Sequence, residues 1–120
     1  MSNPTIQARI LDWCAPSFPL EIRDEAAKIY QRFLSGDRSE DVFAFMEEIK
    51  VGTGGLRGVL GHGPNRMNAW TVGKSTLGFA HYLNKNFNSP SVVIAHDSRR
   101  MSVEFARITA GVFAGQGVKV

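Results

Sequence analysis

The sequence predicts an α/β protein in which a helical leader precedes a β-α-β-α-β segment. In the first 50 residues, apolar side chains recur at helical spacing, and Pro16 and Pro19 separate the first two helices. From residue 51 onward, short β-branched runs alternate with longer helical patterns, which is typical of strands joined by crossover helices. We therefore expect a leader at 1–50 and, at 51–120, a three-layer domain with a mostly parallel mixed sheet.

Each element has a local signal. The leader should hold three helices, at about 5–14, 20–35 and 40–49. Gly36 is a natural stop for the second, because glycine readily adopts the left-handed conformation of a helix C-terminus. In the second segment we expect strands at 56–60, 91–95 and 118–120 and helices at about 70–87 and 102–115. Asn68 and Ser102 are candidate caps for those two helices.

Composition narrows the class of protein. The chain has 120 residues, 43% of them hydrophobic, which is enough for one globular domain. Since no apolar run approaches the roughly 20 residues that span a bilayer, we expect no membrane partner. The N-terminus lacks the pattern of a secretory signal, and Cys14 is a single cysteine, so the expected compartment is the cytoplasm.

Charge is distributed unevenly along the chain. Residues 1–50 carry six basic and nine acidic side chains, whereas residues 51–100 carry six basic side chains and only Asp97 as an acid. A positive segment suits an anionic partner, either a sugar phosphate or a nucleic acid. The alternative is that the acids simply cluster in the leader helices.

A glycine-rich segment lies at the start of this positive region. Residues 52–58 read G-T-G-G-L-R-G. Glycine allows a ligand to approach the main chain closely, and Arg57 offers a fork of donors that fits phosphate oxygens. The segment therefore predicts an anion-binding loop, with a tight turn and a merely solvated arginine as the alternative.

Three further segments follow in a set order: G-H-G-P-N-R-M-N at 61–68, T-V-G-K-S-T-L-G-F-A at 71–80 and V-V-I-A-H-D-S-R at 92–99. Together with the glycine motif they resemble the opening of the α-D-phosphohexomutases, in the phosphoglucomutase/phosphomannomutase branch that includes phosphopentomutase-like members. The resemblance covers roughly residues 40–120. It implies the incomplete first domain of a four-domain enzyme, ending before the phosphoserine loop.

The resemblance also implies roles for individual residues. Arg57 and Thr53 would lie beside the phosphoserine and act in catalysis, while Gly54, Gly55 and Gly58 would shape a phosphate-binding backbone. Arg66 would either bind phosphate or fix its loop by bonding to carbonyls. In the D-x-R motif, Asp97 and Arg99 would support neighbouring loops or pair with each other.

The implied parent enzyme is an isomerase of carbohydrate metabolism. It would move phosphate between C1 and C6 of glucose or mannose phosphate, or between C1 and C5 of a pentose phosphate. The resemblance implies a phosphoserine, Mg²⁺ and a sugar 1,6-bisphosphate intermediate. Because the family's metal ligands lie in its second domain, we expect no metal ligand in this chain and no activity from it alone.

Other functions remain open from the sequence. Gly73-Lys74-Ser75 imitates the end of a nucleotide-binding P-loop, but it falls inside a helical pattern. A non-catalytic module could bind a phosphorylated ligand or nucleic acid through the basic segment, although the aromatic residues follow helical spacing rather than that of a stacking platform. A third alternative is dimerisation or strand exchange through an unpaired sheet edge.

Overall fold

Helices account for most of the ordered secondary structure. The computed structural model describes residues 3–53 and 55–120. Along the chain the elements are α1 (Asn3–Trp13), α2 (Leu20–Leu34), α3 (Glu40–Phe43), β1 (Val51–Gly52), β2 (Gly55–Leu56), α4 (Ala69–Asn86) and α5 (Ser102–Gly115). They fall into two compact units, Met1–Asn68 and Ala69–Val120. Over the described part of the chain, every helix is too short or too polar to cross a membrane.

The first unit is built around the packing of α1 against α2. Its buried hydrophobic side chains include Ile6, Ile10, Trp13, Ala26, Ile29, Phe33, Val42, Ala44 and Phe45. The edge of the Trp13 ring meets Phe45, with centroids 5.7 Å apart. These aromatic residues are therefore core, as their helical spacing predicts.

The predicted end of α2 is confirmed. Gly36 has φ +96°, the conformation that glycine adopts without steric cost. Its N–H donates to Phe33 O at 3.0 Å, and the N–H of Asp37 donates to Arg32 O at 2.9 Å. This is the Schellman pattern, which satisfies carbonyls that the end of a helix leaves unpaired.

Helix α3 ends six residues earlier than predicted, at Phe43 instead of residue 49. Continuing the helix would require the carbonyls of residues 44–46 to accept bonds from residues 48–50. Those carbonyls bond elsewhere, because Ala44 O accepts the N–H of Asn65 at 3.1 Å. The Nη1 atom of Arg9 donates to the carbonyls of Phe45 and Met46. Tertiary hydrogen bonds thus replace the last turn that local sequence favours.

Strands β1 and β2 pair antiparallel, with Val51 opposite Leu56 and Gly52 opposite Gly55. The predicted strand 56–60 is observed only at its first residue, within β2. Four residues after β2, Leu60 forms an isolated parallel bridge with Met67. The glycine-rich segment therefore contains a short hairpin, and the chain after it is paired again at Leu60.

The second unit packs α4 against α5. Its core contains Ala80, Phe113 and Val118, with Leu83, Val92 and Ile94 packed around them. Gly117, at φ +77°, lies two residues after the end of α5. The N–H of Val118 donates to Phe113 O at 3.0 Å, which satisfies a carbonyl at the end of the helix. Both residues of this hydrogen bond belong to the core.

The predicted parallel sheet is not confirmed. In the second unit, Ser91 and Lys119 form a parallel bridge. The N–H of Val92 donates to Lys119 O at 2.8 Å, and the N–H of Lys119 donates to Pro90 O at 3.1 Å. The direction of this pairing is the predicted one, but 91–95 and 118–120 are not strands. Across the described residues, β1 and β2 form the only sheet.

Candidate functional site

The candidate site begins at the hairpin of β1 and β2. Thr53 is exposed in the turn after β1, and Gly55 has φ +107°, where a side chain would strain the backbone. Gly54, a predicted phosphate-binding residue, lies outside the described residues. The hairpin therefore places an exposed hydroxyl, that of Thr53, four residues before Arg57.

Arg57 follows β2 and is exposed. Its guanidinium forms no hydrogen bond or ion pair with any described residue. The next residue, Gly58, lies against the leader, since a Cβ there would be 2.7 Å from the Cδ1 atom of Ile49. Residues 51–68 contain no acid that could compete for the cation. This arrangement leaves a forked cation available to an anion.

Arg66 has a different environment from Arg57. It is half-buried, and its Nη1 donates to Asn65 O at 3.0 Å while Nη2 donates to Glu40 O at 3.2 Å. Both acceptors are backbone carbonyls, as the loop-fixing alternative requires. The phosphate-binding role of Arg66 stays a prediction.

The sequence indicated Asn68 only as a candidate helix cap, and the structure shows contacts of its side chain that this role does not include. Its Nδ2 atom donates to Gly61 O at 2.9 Å and to Gly63 O at 3.0 Å. The amide group carries two N–H donors, and here each reaches a carbonyl of the same turn. Gly63 is buried with φ +117°. The recurrence of glycine five and seven residues before an asparagine is the only signal that could have suggested this contact.

The loop 61–68 reaches the Arg57 segment through backbone hydrogen bonds. The N–H of Met67 donates to Val59 O at 2.8 Å, and the N–H of Gly61 donates to Met67 O at 3.2 Å. Together with the bridge between Leu60 and Met67, these bonds hold the stretch just after Arg57.

Asp97 and Arg99 form a second cluster, within the second unit. The Oδ2 atom of Asp97 lies 2.7 Å from Arg99 Nε, and its Oδ1 accepts the backbone N–H of Arg99 at 3.0 Å. These bonds lower the pKa of the Asp97 carboxyl, the backbone N–H of Arg99 contributing most. The pair fixes the turn that precedes α5.

The prediction that Ser102 caps α5 is wrong. The residue before the helix is Met101, which has φ +68° and makes no capping side-chain bond. Ser102 is the first helical residue, and its Oγ accepts the N–H of Asp97 at 3.1 Å. The hydroxyl is engaged in closing the preceding turn, so it is not used on the helix itself.

The phosphoglucomutase/phosphomannomutase, alpha/beta/alpha domain I family model matches residues 48–120 of the chain. The chain belongs to this phosphoglucomutase/phosphomannomutase family. The matched region contains the hairpin, Arg57, loop 61–68 and the Asp97 cluster. The resemblance to phosphohexomutases and the α/β class are thereby confirmed.

Curated relatives agree with the family. A phosphoglucomutase of Staphylococcus epidermidis is 47% identical over 72 residues, which cover 60% of this chain and 13% of the relative. A phosphoglucomutase of Staphylococcus aureus is 39% identical over 97 residues, covering 81% of this chain and 17% of the relative. The chain thus spans less than a fifth of the length of these relatives. No solved structure matches it.

Metal binding by this phosphoglucomutase/phosphomannomutase chain would require a group of ligand side chains. Among the described residues, no three His, Cys, Asp or Glu side chains lie together as a possible metal site. Both oxygens of the Asp97 carboxylate accept hydrogen bonds from Arg99. The described side chains therefore do not fit a Mg²⁺ centre.

In this phosphoglucomutase/phosphomannomutase chain, the contribution of Asp97 to stability should depend on pH. Because the folded pKa of Asp97 is lowered, its stabilising contribution is present above the ordinary aspartate pKa of about 3.9 and is lost as pH falls through the lower folded value. A ¹³C-detected titration of the carboxyl should give a midpoint below the ordinary value. In Arg99→Ala the midpoint should rise only part of the way, because the backbone N–H still donates. An identical titration in both proteins would contradict the assignment.

Proposed function

We propose that this chain forms first-domain structure of a phosphosugar mutase. The reaction would transfer a phosphoryl group between C1 and C6 of glucose or mannose phosphate, or between C1 and C5 of a pentose phosphate. The observation that carries the proposal is Arg57, an exposed arginine with no partner among the described residues, in the glycine-rich segment that the domain I match covers. Names of curated relatives support the glucose form.

The chemistry of phosphoryl transfer explains why Arg57 is suited to this role. Negative charge spreads over the equatorial oxygens of the transferring group, so catalysis depends on positioning and charge stabilisation. A guanidinium donates two parallel N–H bonds to such oxygens and remains protonated at any working pH. Thr53 and the backbone of Gly55 and Gly58 would border the same phosphate.

Other parts of the mechanism are proposed from the resemblance. A phosphoserine would exchange phosphate with the sugar, a sugar 1,6-bisphosphate would be the intermediate, and Mg²⁺ would neutralise charge on the phosphate. Since the described residues offer no metal site, we assign this chain no step through the metal. We further propose a cytoplasmic enzyme with a small-molecule partner and a mostly parallel sheet in the complete domain.

The proposal is tested in two preparations. The 120-residue chain alone should convert no glucose 1-phosphate to glucose 6-phosphate. A chimera of the Staphylococcus aureus phosphoglucomutase, with its 97 aligned residues replaced by those of this chain, should be active. A folded but inactive chimera, or turnover by the 120-residue chain, would count against the proposal. Salt-dependent binding of an oligonucleotide by the chain would favour the nucleic-acid alternative.

A further inference from the structure

The loop 61–68 is anchored on the helical leader. Ala44 O accepts the N–H of Asn65 at 3.1 Å, and Pro64 O accepts the N–H of Ile49 at 2.7 Å. Gly63 is buried so closely against Ala44 that a Cβ would lie 2.9 Å from the Ala44 Cβ. The leader is therefore a fixed base for this loop.

The other side of the loop is bonded to the segment that carries Arg57. The N–H of Met67 donates to Val59 O at 2.8 Å, and the N–H of Gly61 donates to Met67 O at 3.2 Å. Because the Arg57 guanidinium has no partner among the described residues, its direction depends on the placement of its own backbone. The backbone just after Arg57 is bonded to the loop at Val59 and Leu60.

Asn68 joins the two ends of the turn inside this loop. One Nδ2 atom donates to both Gly61 O and Gly63 O, at 2.9 and 3.0 Å. Glycine has little conformational preference of its own, so a turn with glycine at both ends needs external bonds to keep one shape. The Asn68 amide supplies two of them.

We propose that Asn68 is a positioning residue for Arg57. By fixing the turn 61–63, it holds Val59 and Leu60 and thereby aims the Arg57 guanidinium at the transferring phosphate. The inference rests on the proposed function, and it adds a residue to which neither the motif nor the family match assigns a part. It also assigns the leader a function as the base of the phosphate-handling loop.

The first test uses the 120-residue chain and nuclear magnetic resonance. Asn68→Asp replaces two N–H donors by an oxygen that faces two carbonyl oxygens. Asn65→Asp adds the same charge to the same loop, at a side chain without a hydrogen bond to a described residue. The backbone N–H and Nε–H resonances of Arg57 should move in Asn68→Asp and stay in place in Asn65→Asp. Equal shifts in both variants would overturn the inference.

The second test is kinetic and uses the chimera. Asn68→Asp should lower kcat about 10-fold with little change in KM, because misplacing a catalytic group costs rate more than binding. When Arg57→Ala is already present, Asn68→Asp should not lower kcat further, because the residue that Asn68 positions is gone. Asn68→Ser, which removes the amide donors without adding charge, is measured in parallel in case the aspartate variant does not fold.

The outcomes separate the two proposals. A loss that is the same in the presence and absence of Arg57 would show a general structural role and overturn the inference, while leaving the proposed function intact. If Arg57→Ala retains full activity, the proposed function fails. In that case the positioning role of Asn68 is decided by the resonance comparison alone. If the Arg57 resonances do not move in Asn68→Asp, the positioning role is overturned.

Discussion

Replacing Arg57 by alanine in the chimera is expected to lower kcat about 10²–10³-fold, the usual cost of removing one donor that stabilises transition-state charge. The variant should fold normally, because Arg57 is exposed and bonds to no described residue. Loss of rate without loss of stability distinguishes a catalytic side chain from a structural one. The measurement is steady-state conversion of glucose 1-phosphate, with thermal unfolding recorded on the same preparations.

Two further variants distinguish the effect of the paired N–H donors of Arg57 from the effect of its positive charge. Arg57→Lys keeps the positive charge but loses bidentate geometry, so its rate should fall between those of the wild type and the alanine variant. Lys85→Ala removes a charge from the last turn of α4 and should leave the rate near that of the wild type. A Lys85 variant that loses as much rate as Arg57→Ala would mean that net charge, and not the position of Arg57, supports activity.

Sequence predicted the longer helices because their signals are local. α2, α4 and α5 match their predicted ranges closely, since each has an apolar stripe at helical spacing, and Gly36 and Gly117 mark the ends of two of them. The predicted third helix failed for a reason that local sequence does not contain. The carbonyls that would extend it bond Arg9 and Asn65, which lie more than 20 residues away.

In the candidate site, too, features with a local signal could be predicted, and features that depend on tertiary structure could not. Arg57 could be predicted as a candidate because its motif is contiguous and its chemistry follows from the residue type. The contacts of Asn68 could not, because a polar residue before a helix favours a capping role, and its carbonyl partners depend on the shape of the Gly61–Gly63 turn. The Asp97–Arg99 pair was foreseen as one option, since two residues of opposite charge at this spacing can share a turn.

Gly63 is the position where a small substitution should cost most stability. It has φ +117°, and an added Cβ would lie 2.9 Å from the Ala44 Cβ and 3.0 Å from Ala44 O. Gly63→Ala therefore combines backbone strain with overpacking, and we expect it to destabilise the first unit by about 2–4 kcal/mol. Denaturant unfolding followed by the fluorescence of Trp13, in a Trp70→Phe background, measures this unit.

A matched control is available in the same unit. Gly52→Ala adds the same methyl group where the nearest heavy atom, Gly55 O, is 3.8 Å away, which is ordinary contact. Its effect should stay within about 1 kcal/mol, the general cost or gain of exchanging glycine and alanine. If the two alanine variants unfold together, the close approach of Gly63 to Ala44 does not hold in solution.

A double variant can separate the contributions to the destabilisation expected for Gly63→Ala. Ala44→Gly removes the methyl group that a Gly63 side chain would meet, at a cost of its own because Ala44 is buried. Adding it to Gly63→Ala should recover part of the lost stability, so the two effects should not be additive. Recovery should remain incomplete, since Ala44 O and the positive φ still oppose a side chain at position 63. Complete recovery would assign the whole cost to the two methyl groups, and strict additivity would place residues 44 and 63 out of contact.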